Sequence, residues 1–487
     1  MKDFRQVPPW PRWATLPWPL GEDRLLAAPW PLSDVMQSIN PATGEIIGSY
    51  PEMSLSEAGE LAQLVERASL RWRRESLEER AKLVGALGRR LSRSREPLSQ
   101  LIAAEMGKPI REALAEVEKC AAVCAYYAEH GPRFLAPEPV HTEAEQSYVC
   151  YEALGVVLAI MPWNFPLWQV FRCAAPALLA GNGLILKHAP NVSGCSLAIE
   201  GLLAQTDQRD LLRSAFLTND DTLALIDHPS IAAVTLTGST RAGRQVAARA
   251  GAALKKSVLE LGGSDPYLVL ADADIELASR VCVQSRLINA GQSCIAAKRF
   301  IVVPEQRARF EAAVVELMRA VVQGDPLDVA TELGPLARVD LRDQLHTQVL
   351  TSIERGASLL LGGLVPEGPG AWYTPTVLAN VLPGMPAADE ELFGPVAAIM
   401  PAESEAHAIK LANQTDYGLG SAVFTSDRRR GEQIVRQEVL AGSGFVNTFV
   451  RSDPRLPFGG VKQSGYGREL GVAGVREFVN VKTVYVA

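Results

Sequence analysis

Apolar residues recur with helical spacing through residues 56–130, in SEAGELAQLVERASLRWR, EERAKLVGALGRRLSR and REALAEVEKCAAVCAYYAEH. Leu, Val and Ala stand three and four apart with Glu and Arg between them, which is the stripe of a helix packed on one face. The texture then changes. GVVLAI, GNGLILKHAP, IAAVTLTGS, SVLELGG and PYLVLAD are short runs, apolar and β-branched, and a helix-like ALLA segment separates the first two. A strand covered on both faces needs that composition, and such strands alternating with helices predict parallel α/β sheets. The second half repeats the alternation: KRFIVV as a strand, QRARFEAAVVELMRAVV as a helix and ASLLLGG as a strand. EPVHTEAEQSYVCYE reads as an extended hairpin. The β-rich tail FVNVKTVYV is a candidate edge strand for pairing with another subunit.

The chain has 487 residues, too many for one hydrophobic core, so two or three domains are expected. A formal charge of -7 offers no basic field for a polyanion, which argues against nucleic acid. The basic runs at Arg71–Arg74 and Arg428–Arg430 sit among acidic residues and read as solvated helix faces. Seven scattered cysteines without CxxC, and histidines without HExxH, imply a reducing cytoplasm and no metal site. No apolar run reaches the ~18 residues of a membrane helix, and the N-terminus lacks the apolar core of a signal peptide. Residues 1–35 differ from the rest. They hold four of the eight tryptophans, each near a proline, and read as a disordered or irregular extension ahead of a domain opening at Met36.

Four stretches could carry chemistry. In NAGQSCIAAKR, Gly291 allows close backbone approach beside Cys294, and a thiol where N–H groups converge can attack a carbonyl. An inert core thiol is the competing reading. In SVLELGGSDP, Glu260 lies between Leu259 and Leu261. Burial there raises a carboxyl pKa toward that of a general base, unless the group belongs to a structural ion pair. In AIMPWNFPLW, Asn164 is held between prolines and aromatic residues, suited to donate to an oxyanion or to cap a helix. In TLTGSTRAG, Gly238 and Ser239 would bring free N–H groups to a phosphate at a helix start. The stretch lacks GxGxxG, and an ordinary βα turn reads equally.

Together these stretches resemble the aldehyde dehydrogenase superfamily. INPATGE, PWNFP, LKHAP, TGS, LELGG, GQSC, ELFGP and FGGVKQSGYGRE occur in the family's order from Met36 onward. The nearest likeness is to bacterial succinate-semialdehyde dehydrogenases. The resemblance implies a Rossmann-like cofactor domain (36–134 and 151–255), an α/β catalytic domain (256–474) and a small β oligomerisation arm (135–150 and 475–487). It implies a homodimer or homotetramer, an aldehyde substrate, and NADP or NAD as cofactor. By motif, Cys294 is the nucleophile, Asn164 and the Cys294 N–H hold the oxyanion, and Glu260 activates water. Glu391 binds the nicotinamide ribose beside Phe393, Lys187 the adenosine ribose, and Trp163 and Ser239 lie along the cofactor. Glu260 favours hydrolysis over transfer to a thiol carrier.

Departures from the family pattern carry information. Pro190 replaces the glutamate that many NAD-preferring relatives place on the ribose 2′-hydroxyl, so NADP acceptance is expected. Arg172 matches a position that pairs with a substrate carboxylate, with an internal ion pair as the alternative. Ile288 stands where a second arginine is usual, and Arg451 is the candidate replacement. Ser293 and Ile295 flank the cysteine, so no adjacent-disulfide switch is expected.

Overall fold

The computed structural model describes residues 35–204 and 206–487. The expected N-terminal extension lies outside the described residues except for its last position. Val35 already opens a strand, Val35–Ile39, paired antiparallel with Ile46–Pro51.

Two α/β sheets organise the rest. The first has six strands in the order Gly465–Tyr466, Lys256–Glu260, Ile231–Thr237, Val156–Met161, Gly183–His188 and Leu212–Ser214. All its pairs are parallel except that of the short Gly465 strand. The chain leaves Val156–Met161 for a neighbour on one side and later returns to the other side. Such a topological switch point is where parallel α/β sheets hold ligands, at the carboxyl ends of the strands. The second sheet has seven strands, with Asp265–Val269 between Ala297–Val302 and Gly420–Phe424. Only its edge strand Ser358–Leu361 runs antiparallel. Every residue of Gly183–His188 and Ala297–Val302 is buried, which explains why these runs lack an alternating pattern.

The linker Leu261–Ser264 runs directly from the last strand-end of the first sheet into the second. The sequence-based boundary at 255/256 therefore cuts the first sheet: Lys256–Glu260 pairs with Ile231–Thr237 and belongs with it. The periodic segments form helices Leu55–Trp72, Leu77–Arg93 and Ile110–Phe134, with a further helix at Arg95–Met106. Ser54 and Glu57 close a capping box on the first of these. Val84, Leu87 and Leu91 of the second are buried, each stabilising by about 1.5–3 kcal/mol relative to exposure. The hairpin and tail form a third small sheet, in which Val479–Val486 pairs along the whole of Gln146–Ala153. Val481 and Tyr485 stay exposed on it. No described helix is long and apolar enough to cross a membrane, and the described residues hold no metal-ligating cluster.

Candidate active site

The side chains singled out in the sequence converge from two directions. Asn164, Lys187, Ser239 and Glu260 stand at or just past the carboxyl ends of strands of the first sheet. Cys294 and Glu391 stand on loops leading into strands of the second.

The loop that carries Cys294 has unusual backbone geometry. Asn289, Ala290 and Gly291 have φ of 55°, 53° and 76°, a left-handed run costing non-glycine residues about 1–2 kcal/mol each. At Gly291 a Cβ would lie 2.2 Å from the Gly394 carbonyl, so glycine is required. The turn is held from outside. Glu112 accepts the Asn289 N–H at 2.7 Å, and the Asn289 amide donates to the Asn164 carbonyl at 2.7 Å and the Gln292 carbonyl at 3.1 Å. The Asn164 side chain donates to the Gln292 carbonyl at 3.0 Å, so this amide sits against the cysteine loop. Beneath it, Glu116 accepts the N–H groups of Leu167 and Trp168 at 2.9 and 3.0 Å and pairs with Lys108. Lys108 also donates to the Asn164 carbonyl at 3.0 Å. Burial lowers the His188 pKa to about 4. Its neutral ring accepts from the Ala189 N–H and donates to the Pro166 carbonyl at 2.8 Å, tying PWNFP to the neighbouring strand.

Cys294 is partly exposed. Packing around the sulfur pushes its thiol up to about 12, while Arg172 and Lys298 pull it down and Glu391 and Glu260 add to the rise. Glu260 is 2 % exposed, and neither carboxylate oxygen finds a hydrogen bond among the described residues. Burial raises its pKa well above the usual carboxylate range, and the nearby Glu469 charge raises it further against Arg172 and Arg468. A carboxyl group in that state can take a proton near neutral pH.

Glu391 accepts the Gly263 N–H at 3.0 Å and pairs with Lys298 at 3.2 Å. Trp163 and Phe393 meet edge to face, 5.8 Å apart. At Gly262 a Cβ would lie 2.5 Å from the Glu391 carboxylate, so a side chain there would displace that group. Burial lowers the Lys187 pKa, and its ammonium lies 3.4 Å from Asn219 Oδ1.

Two sequence-based expectations need correction. The Gly238 N–H is not free for a phosphate, because it donates to the Glu260 carbonyl at 3.0 Å as the sheet's last rung. The Ser239 hydroxyl caps helix Thr240–Ala252 by accepting the Ala242 N–H at 3.2 Å. Arg172 is not an open clamp: it is 2 % exposed, pairs with Glu469 and lies 4.7 Å from the Phe458 ring. A guanidinium buried this deeply needs a counter-charge, and Glu469 supplies it. Arg451 is exposed, 5.9 Å from the Phe449 ring, and makes no ion pair among the described residues.

Three other charged residues went unnoticed in the sequence. Glu469 lies inside the recognised GYGRE stretch, but nothing marked it as Arg172's partner. Lys298 is a lysine within the fully buried strand AKRFIV, which was the available signal. Lys119 looks like any charged residue on an amphipathic helix. It donates to Ser452 at 2.7 Å and lies 4.2 Å from the Trp168 ring. Burial, with Arg172 adding to it, brings its pKa down to about 8.

A switch point beside a thiol, an amide and an unpaired carboxyl group defines the class, a dinucleotide-dependent oxidoreductase acting on a carbonyl. The aldehyde dehydrogenase family model matches residues 30–484, and the chain belongs to that family. It is 47 % identical to the Escherichia coli succinate semialdehyde dehydrogenase [NAD(P)+] Sad over 92 % of this chain and 97 % of that one. A probable NADP(+) succinate-semialdehyde dehydrogenase of Synechocystis is 42 % identical, over 92 % of this chain and 99 % of that one. Among solved structures, the succinic semialdehyde dehydrogenase of Streptococcus pyogenes with NADP+ superimposes with a TM-score of 0.89 at 35 % identity. That match covers 93 % of this chain and 99 % of the other.

Proposed function

We propose that the protein oxidises succinate semialdehyde to succinate with NADP or NAD, through a thioester on Cys294 that water hydrolyses. The observation that carries this reading is the convergence of the Cys294 thiol, the Asn164 amide and the unpaired Glu260 carboxyl group. The Cys294 sulfur adds to the aldehyde carbon, and the negative charge on the former carbonyl oxygen is held by Asn164 and the Cys294 N–H. That charge develops in the transition state, so holding it lowers the barrier selectively. The bound nicotinamide supplies the hydride acceptor for collapse to the thioester. Glu260 then takes a proton from water as the oxygen attacks the acyl carbon, releasing the acid and the Cys294 thiolate.

The residues present fit a dinucleotide. Glu391, Phe393 and Trp163 would hold the nicotinamide end, and Lys187 and Ser239 the adenosine end. The buried Asn191 amide, with no partner for its nitrogen or oxygen among the described residues, adds an unused donor and acceptor beyond Lys187. Pro190 leaves no carboxylate there to repel a 2′-phosphate. A carboxylate-bearing aldehyde needs a cation to pair with, and Lys119, on Trp168 and Ser452, is the candidate. Arg172 is neutralised by Glu469, but Lys119 makes no ion pair among the described residues. The exposed edge of the tail sheet supports a homodimer or homotetramer, and the free cysteines suit a cytoplasmic setting.

The test is NADH and NADPH production across aldehydes with and without a terminal carboxylate. Succinate semialdehyde should give the highest kcat/KM, with NADP accepted. Equal kcat/KM for hexanal would remove the substrate assignment, and a thousandfold preference for NAD would remove the cofactor one.

A further inference from the structure

Lys298 is 1 % exposed, in the strand that follows the nucleophile loop. Its ammonium has three protons and three partners: the Ser293 carbonyl at 2.8 Å, the Cys294 carbonyl at 2.7 Å and Glu391 at 3.2 Å. Those two carbonyls belong to the two peptide planes that flank Cys294. A trans peptide points its N–H opposite to its carbonyl. Holding the Ser293 carbonyl therefore turns the Cys294 N–H away from the ammonium, and holding the Cys294 carbonyl fixes the other side of the same Cα. Glu391 completes the arrangement by accepting the Gly263 N–H. Gly263 is itself confined, since a Cβ there would lie 2.5 Å from the Cys294 carbonyl.

We propose that Lys298 is a positioning residue that couples the ribose-binding carboxylate Glu391 to the nucleophile, aiming the Cys294 backbone and lending positive charge to its sulfur. This rests on the roles proposed above for Cys294 and Glu391. A desolvated ammonium is tolerable only with a counter-charge, and Glu391 provides it. Ribose hydroxyls donating to Glu391 would share that carboxylate. More of the ammonium's charge would then act on the sulfur, so the thiolate should form at lower pH once the cofactor is seated. The other charges acting on Lys298 are Arg286, Asp265 and Cys294, and those acting on the sulfur are Arg172, Glu391 and Glu260.

The experiment is the rate of Cys294 alkylation by iodoacetamide against pH, with and without NADP+. The midpoint is read because the plateau also reports steric access. In the wild type, NADP+ should lower the midpoint. Lys298→Met should raise it by about one pH unit, a tenfold loss of thiolate at fixed pH, abolish its response to NADP+, and lower kcat more than it raises KM. Lys298→Arg should restore the midpoint while recovering only part of kcat, because the charge returns without the same fit to two carbonyls. Should Lys298→Met fail to fold, Glu391→Gln gives the opposite sign: a lowered midpoint without cofactor, and no further response to it. Wild-type midpoints and cofactor responses in these variants would overturn the proposal. Full turnover by Cys294→Ser would instead overturn the reading beneath it.

Discussion

Two buried glutamates lie within this site, and they are treated in opposite ways. Beneath the PWNFP loop, Glu116 accepts two backbone N–H groups and faces Lys108. On the reacting side, Glu260 is equally buried and has no hydrogen-bond partner among the described residues. A satisfied carboxylate holds backbone in place, whereas an unsatisfied one binds a proton readily. The difference separates the groups that shape the site from the group equipped to do chemistry there.

The sharpest test of this contrast is Glu260→Gln. Without a base, hydrolysis should slow by about 10²–10⁴-fold, while acylation continues. Stopped-flow traces should show a burst of about one NADPH per site followed by slow turnover. A lost burst would place Glu260 in the earlier step. Glu116→Gln should act on stability instead. Leaving Lys108 without its counter-charge should cost about 3 kcal/mol, read from urea unfolding, with a smaller effect on kcat. A reversal of these two outcomes would break the comparison.

The pH dependence follows from the raised Glu260 pKa. In activity, the acidic limb of kcat should lie above the ordinary carboxylate range and vanish in Glu260→Gln. For stability, the folded state holds the proton more tightly than the unfolded chain. The contribution is complete below the unfolded carboxyl pKa and is lost as pH rises through the folded value. Glu260→Gln should therefore flatten the decline of stability with rising pH, measured as Tm against pH. The smallest expected effect concerns substrate choice. Lys119→Met should raise KM for succinate semialdehyde about tenfold, by analogy with losing one charge-assisted contact, and leave KM for hexanal unchanged. Equal effects on both would remove Lys119 from carboxylate recognition.

Much of this was legible in the chain. Strands buried on both faces declare themselves by apolar runs, so GLILKH and FIV appear where the first and second halves of the pattern required them. Glu260 between two leucines and Cys294 after Gly291 stood out because polar groups in apolar settings are expensive to bury without a use. Gly238 misled, because sequence places a residue at a strand end without saying which neighbour takes its N–H. Arg172 misled for a related reason: Glu469 lies almost three hundred positions away, and ion-pair partners at that separation leave no local trace.

The amino-acid order by itself determined the helices and strands, the parallel sheets and the residues able to act as nucleophile, amide donor and base. Each of these depends on local spacing or residue chemistry. Tertiary packing alone decided that Glu469 neutralises Arg172, that Glu112 pins a left-handed turn, and that Lys298 holds both peptides around Cys294. These depend on burial and on contacts between distant segments, where one ammonium or carboxylate must find its partner or change its charge.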